Sequence, residues 1–324
     1  MTNRLTSRRA RLALYPQAAF AAPSTDPLAV AKVDTQGSTL RITARGGSTG
    51  AGAIPADAGA TLPDFVGDSA SRYESIDLRL HGHPLRGAVN CALLDLIGKQ
   101  ANAPSYQVLG GPTRHKVRVM VRASSDSDVA AAYARGHRTV VLAAPGIKET
   151  GAFADRVQSL RAAHAGLDFV ADGAGRMSPG EAGSVATAIE GIKLLWLDEP
   201  CRSNPIAPVA KIAAECVTPL GFGGGARAAS EFQELLRSDA VDILRPSLDA
   251  FGISGIRRIA ALAETYYVAV APRRGTGELA SLAALHLAAS LPNFFIQEIP
   301  PDLPWRVQDG YVNLPEGAGL GRMA

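Results

Sequence analysis

The stretch FVADGAGRMSPGE, residues 169–181, contains one complete structural unit. Its first residues are apolar on both faces, as a buried parallel strand requires. Asp172 ends that strand, and Gly173-Ala174-Gly175 supplies a loop. Ser178-Pro179-Gly180-Glu181 then reads as a helix start: a serine cap, a proline in the first turn, and a glutamate three residues after the serine. The same unit recurs along the chain. Short apolar runs appear at VRVMVRA (117–123), TVVLAA (139–144), DFVAD (168–172) and LLWLDEP (194–200). They continue at TPLGFGG (218–224), VDILRPS (241–247), VAVAPRR (268–274) and FFIQE (294–298). Between them lie Ala/Leu-rich segments with helical spacing, such as EFQELLRSDA, GIRRIAALAETY and ELASLAALHLAASL. Strands roughly 25 residues apart, each followed by a helix, specify βα units and a parallel sheet. Eight of them specify an α/β fold of the (β/α)8 barrel type.

Size and composition agree. A chain of 324 residues accommodates one large barrel, and 47% hydrophobic with 19% charged residues suits a soluble globular core. A formal charge of +3 with no dense Lys/Arg tract argues against a nucleic-acid partner. Cys91, Cys201 and Cys216 form no C-x-x-C pair, which suits a reducing compartment and argues against a disulfide framework. No run of about 18 apolar residues is present, so no membrane-spanning helix is expected. The segment TSRRARLALYPQAAFAAPS (6–24) imitates an export signal but reads equally well as a first strand, and the expected location is the cytoplasm. Residues 1–90 are rich in Gly, Thr, Ser and Pro, with strand-like pieces LAVAKVDT and STLRITARGG.

A barrel directs attention to the C-terminal ends of its strands. Those ends carry Arg122, Asp172, Asp198 with Glu199, Gly224, Arg245, Arg273 with Arg274, and Glu298. They are acids and arginines, with no histidine and no lysine. The plainest reading is that such charges pair with one another at a solvated rim. Asp172 and Asp198 stand out, because both follow apolar strands on neighbouring units.

Three separate segments then resemble one family. ALLDLIGKQANAPSYQVLGGPTRHKVRV (92–119) resembles the join between cap and barrel in the enolase superfamily, in its mandelate racemase and galactonate dehydratase branch (the mandelate racemase/muconate lactonizing enzyme family). GSTGAGAI (47–54) resembles that family's cap strand turn, and DGYVNLPEGAGLG (309–321) its C-terminal return to the cap. The resemblance implies a (β/α)7β modified TIM barrel under an α+β capping domain formed by the N-terminal region and the C-terminal tail. The expected division is 1–112 for the cap and its link helix, 113–300 for the barrel, and 301–324 for the return. A homo-oligomer and a small anionic carboxylate ligand follow from the same resemblance.

Enzymes of this family bind Mg²⁺ through three carboxylates at the ends of the third, fourth and fifth strands. The metal neutralises the second negative charge formed when a base removes the proton alpha to a carboxylate. Carried over residue by residue, Asp172 in DGAGR matches the first ligand and Asp198 in WLDEP the second, 26 positions later. Another 26 positions lead to Gly224, where the family has its third acid. The acid–base positions differ as well. Val141 stands for a lysine on the second strand, Ser247 for an aspartate on the sixth with Asp249 two residues on, and Arg273 for a histidine on the seventh. Glu298 matches a family glutamate that hydrogen-bonds the substrate.

Two readings follow. In the first, the Mg²⁺ site is degraded: Arg273 forks onto Asp172 or Asp198 and takes over the metal's charge role, leaving a catalytically degenerate or anion-binding barrel. In the second, a divergent lyase or epimerase of carboxylate substrates, such as a dehydratase or racemase of sugar acids, uses Asp172, Asp198, Glu298 and one of Arg176 or Arg245. Two carboxylates with waters can hold Mg²⁺, so the cofactor is Mg²⁺ or none. Arg273, Glu298, Arg245 and Arg176 are the candidate catalytic residues, and Asp172 and Asp198 the candidate metal ligands. Lys148 and Arg135 read as helix-surface charges, and His286 as packing or surface within a helix. His81 and His83 read as a helix-entry loop rather than a transition-metal pair. The glycines of GFGGGAR lack the context of a nucleotide-binding fingerprint.

Overall fold

The computed structural model describes residues 23–59, 61–273 and 275–323. The segment carrying Arg8 and Arg9, and also Arg274, lie outside the described residues.

A three-stranded antiparallel sheet comes first: β1 (Val30–Gln36), β2 (Thr39–Ala44) and β3 (Thr49–Ala53). It packs on the link helix α2 (Arg86–Gln100), which follows the short helix α1 (Tyr73–Arg79). The glycines of GSTGAGAI make that packing possible. A Cβ on Gly50 would lie 1.9 Å from the Ala92 carbonyl oxygen, and one on Gly52 2.0 Å from that of Ala88. The strand therefore lies backbone-first against the helix, a closeness only glycine permits.

The barrel strands are β4 (Lys116–Arg122), β5 (Thr139–Ala143), β6 (Asp168–Asp172), β7 (Trp196–Asp198), β8 (Leu220–Phe222), β9 (Ile243–Leu244), β10 (Ala269–Val270) and β11 (Gln297–Ile299). All eight are parallel and pair in chain order; β11 pairs with β4, and a Val270–Phe294 bridge closes the ring. Seven helices intervene among the described residues: α3 (Asp126–Ala134), α4 (Thr150–Ala163), α5 (Pro179–Ala188), α6 (Ile206–Glu215), α7 (Ala229–Arg237), α8 (Leu248–Glu264) and α9 (Gly277–Ser290). This is the (β/α)7β order. Local sequence sets the helix starts. Ser178 Oγ accepts from the Glu181 amide at 3.3 Å with Pro179 in the first turn. Ser125 and Asp128 form a reciprocal capping box on α3.

The inward faces of the strands fill the barrel with Met120, Val141, Val170, Trp196, Ile243, Ala271 and Ile296. The outward faces and the helices form the main core. Cap and barrel are joined by polar contacts. Within the cap Arg86 forks onto Asp77 at 2.9 and 2.8 Å, and Arg258 of α8 reaches across to Asp77 and Glu74. Asn90 of α2 exchanges two hydrogen bonds with Ser254 of α8.

The chain end returns through β12 (Tyr311–Asn313), antiparallel to β4. It reaches the link helix, where the Leu320 amide donates to Asp95 at 2.8 Å. His286 is fully buried: its Nδ1 accepts from the Tyr106 amide at 3.1 Å, so Nε2 carries the hydrogen and donates to the Leu320 carbonyl at 3.0 Å. His286 is thus a packing residue that clamps the tail. No helix among the described residues is long and apolar enough to cross a membrane.

Candidate functional site

Closing the barrel brings six strand-end side chains into one ring of alternating charge. Arg122 at the end of β4 donates to Asp172 at 2.7 Å. Asp172 faces Arg273 at 4.0 Å, and Arg273 reaches Asp198 at 3.4 Å. Asp198 is gripped by Arg245 Nε, 3.0 Å from Oδ1 and 3.2 Å from Oδ2. Arg245 then reaches Glu298 at 3.3 Å, and Glu298 accepts from Arg122 at 3.4 Å, which completes the circuit. Three acids and three arginines sum to zero charge, and each carboxylate has a guanidinium on both sides. The charges do pair with each other, but in the interior: Asp172, Asp198, Arg245 and Glu298 are all buried.

Burial pushes the Asp198 carboxyl above its usual range, while Arg245 and Arg273 pull it back. Desolvation works against the charge on Arg273, but Asp198 and Asp172 outweigh it and hold its pKa up. Desolvation likewise opposes the charge on Arg122, and Glu298 and Asp172 together outweigh it in the same way. Arg245 lies flat against the barrel interior, its guanidinium carbon 5.4 Å from the Trp196 ring centroid.

Glycine at 224 leaves room for the Arg273 side chain. A Cβ built there would lie 2.3 Å from Arg273 Cδ and 3.0 Å from both Nε and Nη1. The Arg273 side chain therefore occupies the volume that an acid at 224 would need. Magnesium is the metal that the family resemblance implies here. It wants several free oxygens in octahedral order, and here Asp172, Asp198 and Glu298 are each already shared between two guanidiniums. Among the described residues no group of three or more His, Cys, Asp or Glu side chains is arranged to hold a metal ion.

The other acid–base positions are also accounted for. Val141 is buried inside the barrel. Ser247 meets Arg273 only through a backbone bridge. Asp249 sits in the first turn of α8, outside the ring, with its pKa raised by burial and by Asp57. Arg176 also stands apart from the ring, exposed on the loop after β6.

Two cavities flank Arg273. One, about 310 Å³, is polar and bordered by Arg122, Asp172, Arg273, Gly275, Thr276 and Glu298. Thr276 is the N-cap of α9 and makes no side-chain cap bond, so the first-turn amides of that helix are uncapped at its edge. The other, about 1150 Å³, is also bordered by Arg273, together with Arg176, Arg202, Glu199 and Gly224. Arg122 and Arg273 are 31% and 28% exposed, whereas Arg245 is 0% exposed, so the first two are the ring arginines that can meet a ligand.

Glu199 is the residue that the pattern alone undervalues. It adopts φ 42, a left-handed conformation uncommon for a non-glycine residue. That turn directs its carboxylate to the Gly224 amide at 2.6 Å. Burial, reinforced by Asp198, pushes its pKa up to about 7. Arg202 carried no signal in the sequence either, because EPCRSNP reads as an ordinary polar loop.

Comparison with known proteins agrees with the fold. Residues 125–322 match the family model described as Enolase C-terminal domain-like. A D-galactonate dehydratase family member of Streptomyces bingchenggensis is 29% identical over 289 residues, covering 72% of this chain and 70% of that protein. D-mannonate dehydratase of a Caulobacter species is 27% identical over 320 residues, covering 80% and 79%. Among solved structures, an enolase from Agrobacterium radiobacter with bound sodium and L-malate superposes with a TM-score of 0.78 at 24% identity, covering 91% of this chain and 93% of that one. A mandelate racemase/muconate lactonizing enzyme-like protein from Roseovarius gives 0.79 at 22% identity, covering 93% and 90%.

Proposed function

The chain belongs to the enolase superfamily, and we propose that its barrel mouth binds a small carboxylate of the sugar-acid class through arginines instead of magnesium. The single observation that carries this is Arg273 in the place of the third acid, within ion-pair reach of both Asp172 and Asp198. Curated relatives that are sugar-acid dehydratases, and a structural neighbour solved with L-malate, support the ligand class.

The chemistry follows from the residues. Arg122 and Arg273 turn part of each guanidinium toward the 310 Å³ cavity, beside the uncapped start of α9. A carboxylate there meets charge-assisted donors in a desolvated wall. Proton abstraction needs a base, and the positions where the family keeps its acid–base residues do not supply one. The permanently protonated Arg273 stands where a titratable histidine would, and Val141 where a lysine would. On this reading the protein is a catalytically degenerate, anion-binding member of its superfamily. A cytoplasmic location, homo-oligomeric assembly and the domain boundaries at residues 112 and 300 belong to the same proposal.

Calorimetry tests it. Mg²⁺ and Mn²⁺ should show no binding up to millimolar concentration, and gluconate should bind equally with and without a chelator. Micromolar metal affinity would overturn the substitution of arginine for metal. Turnover of a sugar acid that disappears in Asp172→Ala would overturn the loss of catalysis.

A further inference from the structure

The larger cavity contains charge that the ring does not use. Arg176 and Arg202 border it, and neither guanidinium has an ion pair or hydrogen bond among the described residues. This sets them apart from Arg122, Arg245 and Arg273, each of which is held between two acids. They are also not on unrelated loops. The loop after β6 is tied to the loop after β7 by three backbone hydrogen bonds: Gly173 to Asp198 at 2.8 Å, Gly175 to Glu199 at 2.6 Å, and Met177 to Pro200 at 3.1 Å. Two like charges are thereby carried on two stitched loops at one cavity wall.

The acids on the same wall do not answer them. Glu231 accepts from the Arg227 and Ala228 amides at 2.7 and 2.8 Å to cap α7. Glu199 is turned onto the Gly224 amide. The floor stays open because its residues are small: Gly175, Gly224 and Gly225 border the space. Arg273 borders this cavity and the smaller one alike, so the two lie within reach of one small molecule.

We propose that the larger cavity is a second anion subsite and that the ligand is a small sugar-derived dianion. One carboxylate lies against Arg122 and Arg273, and a second acidic group lies against Arg176 and Arg202. This rests on the reading above that the mouth binds a carboxylate through arginines. The second group is a carboxylate or a phosphate, since a pair of guanidiniums recognises either through the same charge-assisted bonds.

The test is calorimetry on the full chain, in chelator, with three six-carbon ligands: gluconate, glucarate and 6-phosphogluconate. They share a first carboxylate and differ only at the far end. A second charge-assisted contact should tighten binding about 10- to 100-fold over gluconate. Preference for glucarate identifies a carboxylate subsite, and preference for 6-phosphogluconate a phosphate subsite. In the Arg176→Gln/Arg202→Gln double variant that advantage should disappear, so that the three ligands bind alike. If gluconate binds as tightly as both dianions in the unaltered protein, the second subsite is refuted and the carboxylate reading stands. If the advantage survives in the double variant, the second acid lies elsewhere and the assignment fails. If none of the three binds, both readings fall together.

Discussion

Restoring an acid at position 224 tests whether Gly224 and Arg273 are two halves of one change. The backbone at Gly224 lies outside the left-handed region, so its conformation accepts a side chain; what excludes one is Arg273, 2.3 Å from the ideal Cβ. Gly224→Glu alone must therefore expel Arg273 and lose its contacts to Asp198 at 3.4 Å and Asp172 at 4.0 Å. Neither acid is then bare, since Asp198 keeps Arg245 at 3.0 Å and Asp172 keeps Arg122 at 2.7 Å. The loss should fall below the roughly 3–5 kcal/mol of an orphaned buried charge. Lost ion pairing of about 1–2 kcal/mol and overpacking of about 1–3 kcal/mol give about 3 kcal/mol for Gly224→Glu. Arg273→Ala loses the ion pairs without the clash, about 1–2 kcal/mol. In the double variant the clash is gone and the Arg273 ion pairs are lost only once, so its destabilisation should be smaller than the sum of the single effects by about 3 kcal/mol. Urea unfolding of the four proteins measures this coupling. Repeating it with Mn²⁺ asks whether three acids freed of Arg273 gain a cation: only the double variant should be stabilised, by about 1.4 kcal/mol per tenfold Mn²⁺ above its Kd. Additivity within about 0.5 kcal/mol, or equal Mn²⁺ binding by the unaltered protein, would refute the reasoning.

Acid should destabilise the fold through two buried histidines. Burial pushes His286 and His137 from the ordinary 6.5 down to about 4. The unfolded chain takes up protons first, so stability is full above about pH 6.5 and falls as pH drops toward 4. The most either histidine can contribute to this loss is about 3 kcal/mol. His286→Gln should flatten this slope in urea unfolding across about pH 4–7, and an unchanged slope would exclude His286 as a contributor. Arg245→Met should cost more than Arg273→Ala, about 2–3 kcal/mol, because Asp198 and Glu298 lose the fully buried partner between them and keep only Arg273 and Arg122, each at 3.4 Å. Adding Asp198→Asn should recover part of that loss; a single-variant loss under about 1 kcal/mol would show that the other two arginines suffice.

Much of the frame was legible because it is local. Apolar runs with a period near 25 residues marked the eight strands, and Ser178-Pro179 marked the start of α5. Strand lengths were less legible. VDILRPS yields only Ile243–Leu244 as paired strand, because tilted barrel strands share few ladder bonds before each turns into its loop. At the site, residue types were readable and partners were not. Arg122 looked like one more strand-end charge, yet it joins Glu298 across 176 positions because the last strand closes on the first. Arg176 carried the family-like loop and stands outside the ring, while Arg245 proved to be its most buried arginine.

By itself the sequence determined the order of the strands and the residue types that follow them, glycine at 224 among them. Each is a matter of residue type and spacing along the chain. Only the tertiary structure decided that the surviving acids lie between arginines, that the circuit closes, and that Arg273 fills the volume over Gly224. Charge pairing and excluded volume act through space, between residues 47 to 176 positions apart, and no local pattern records them.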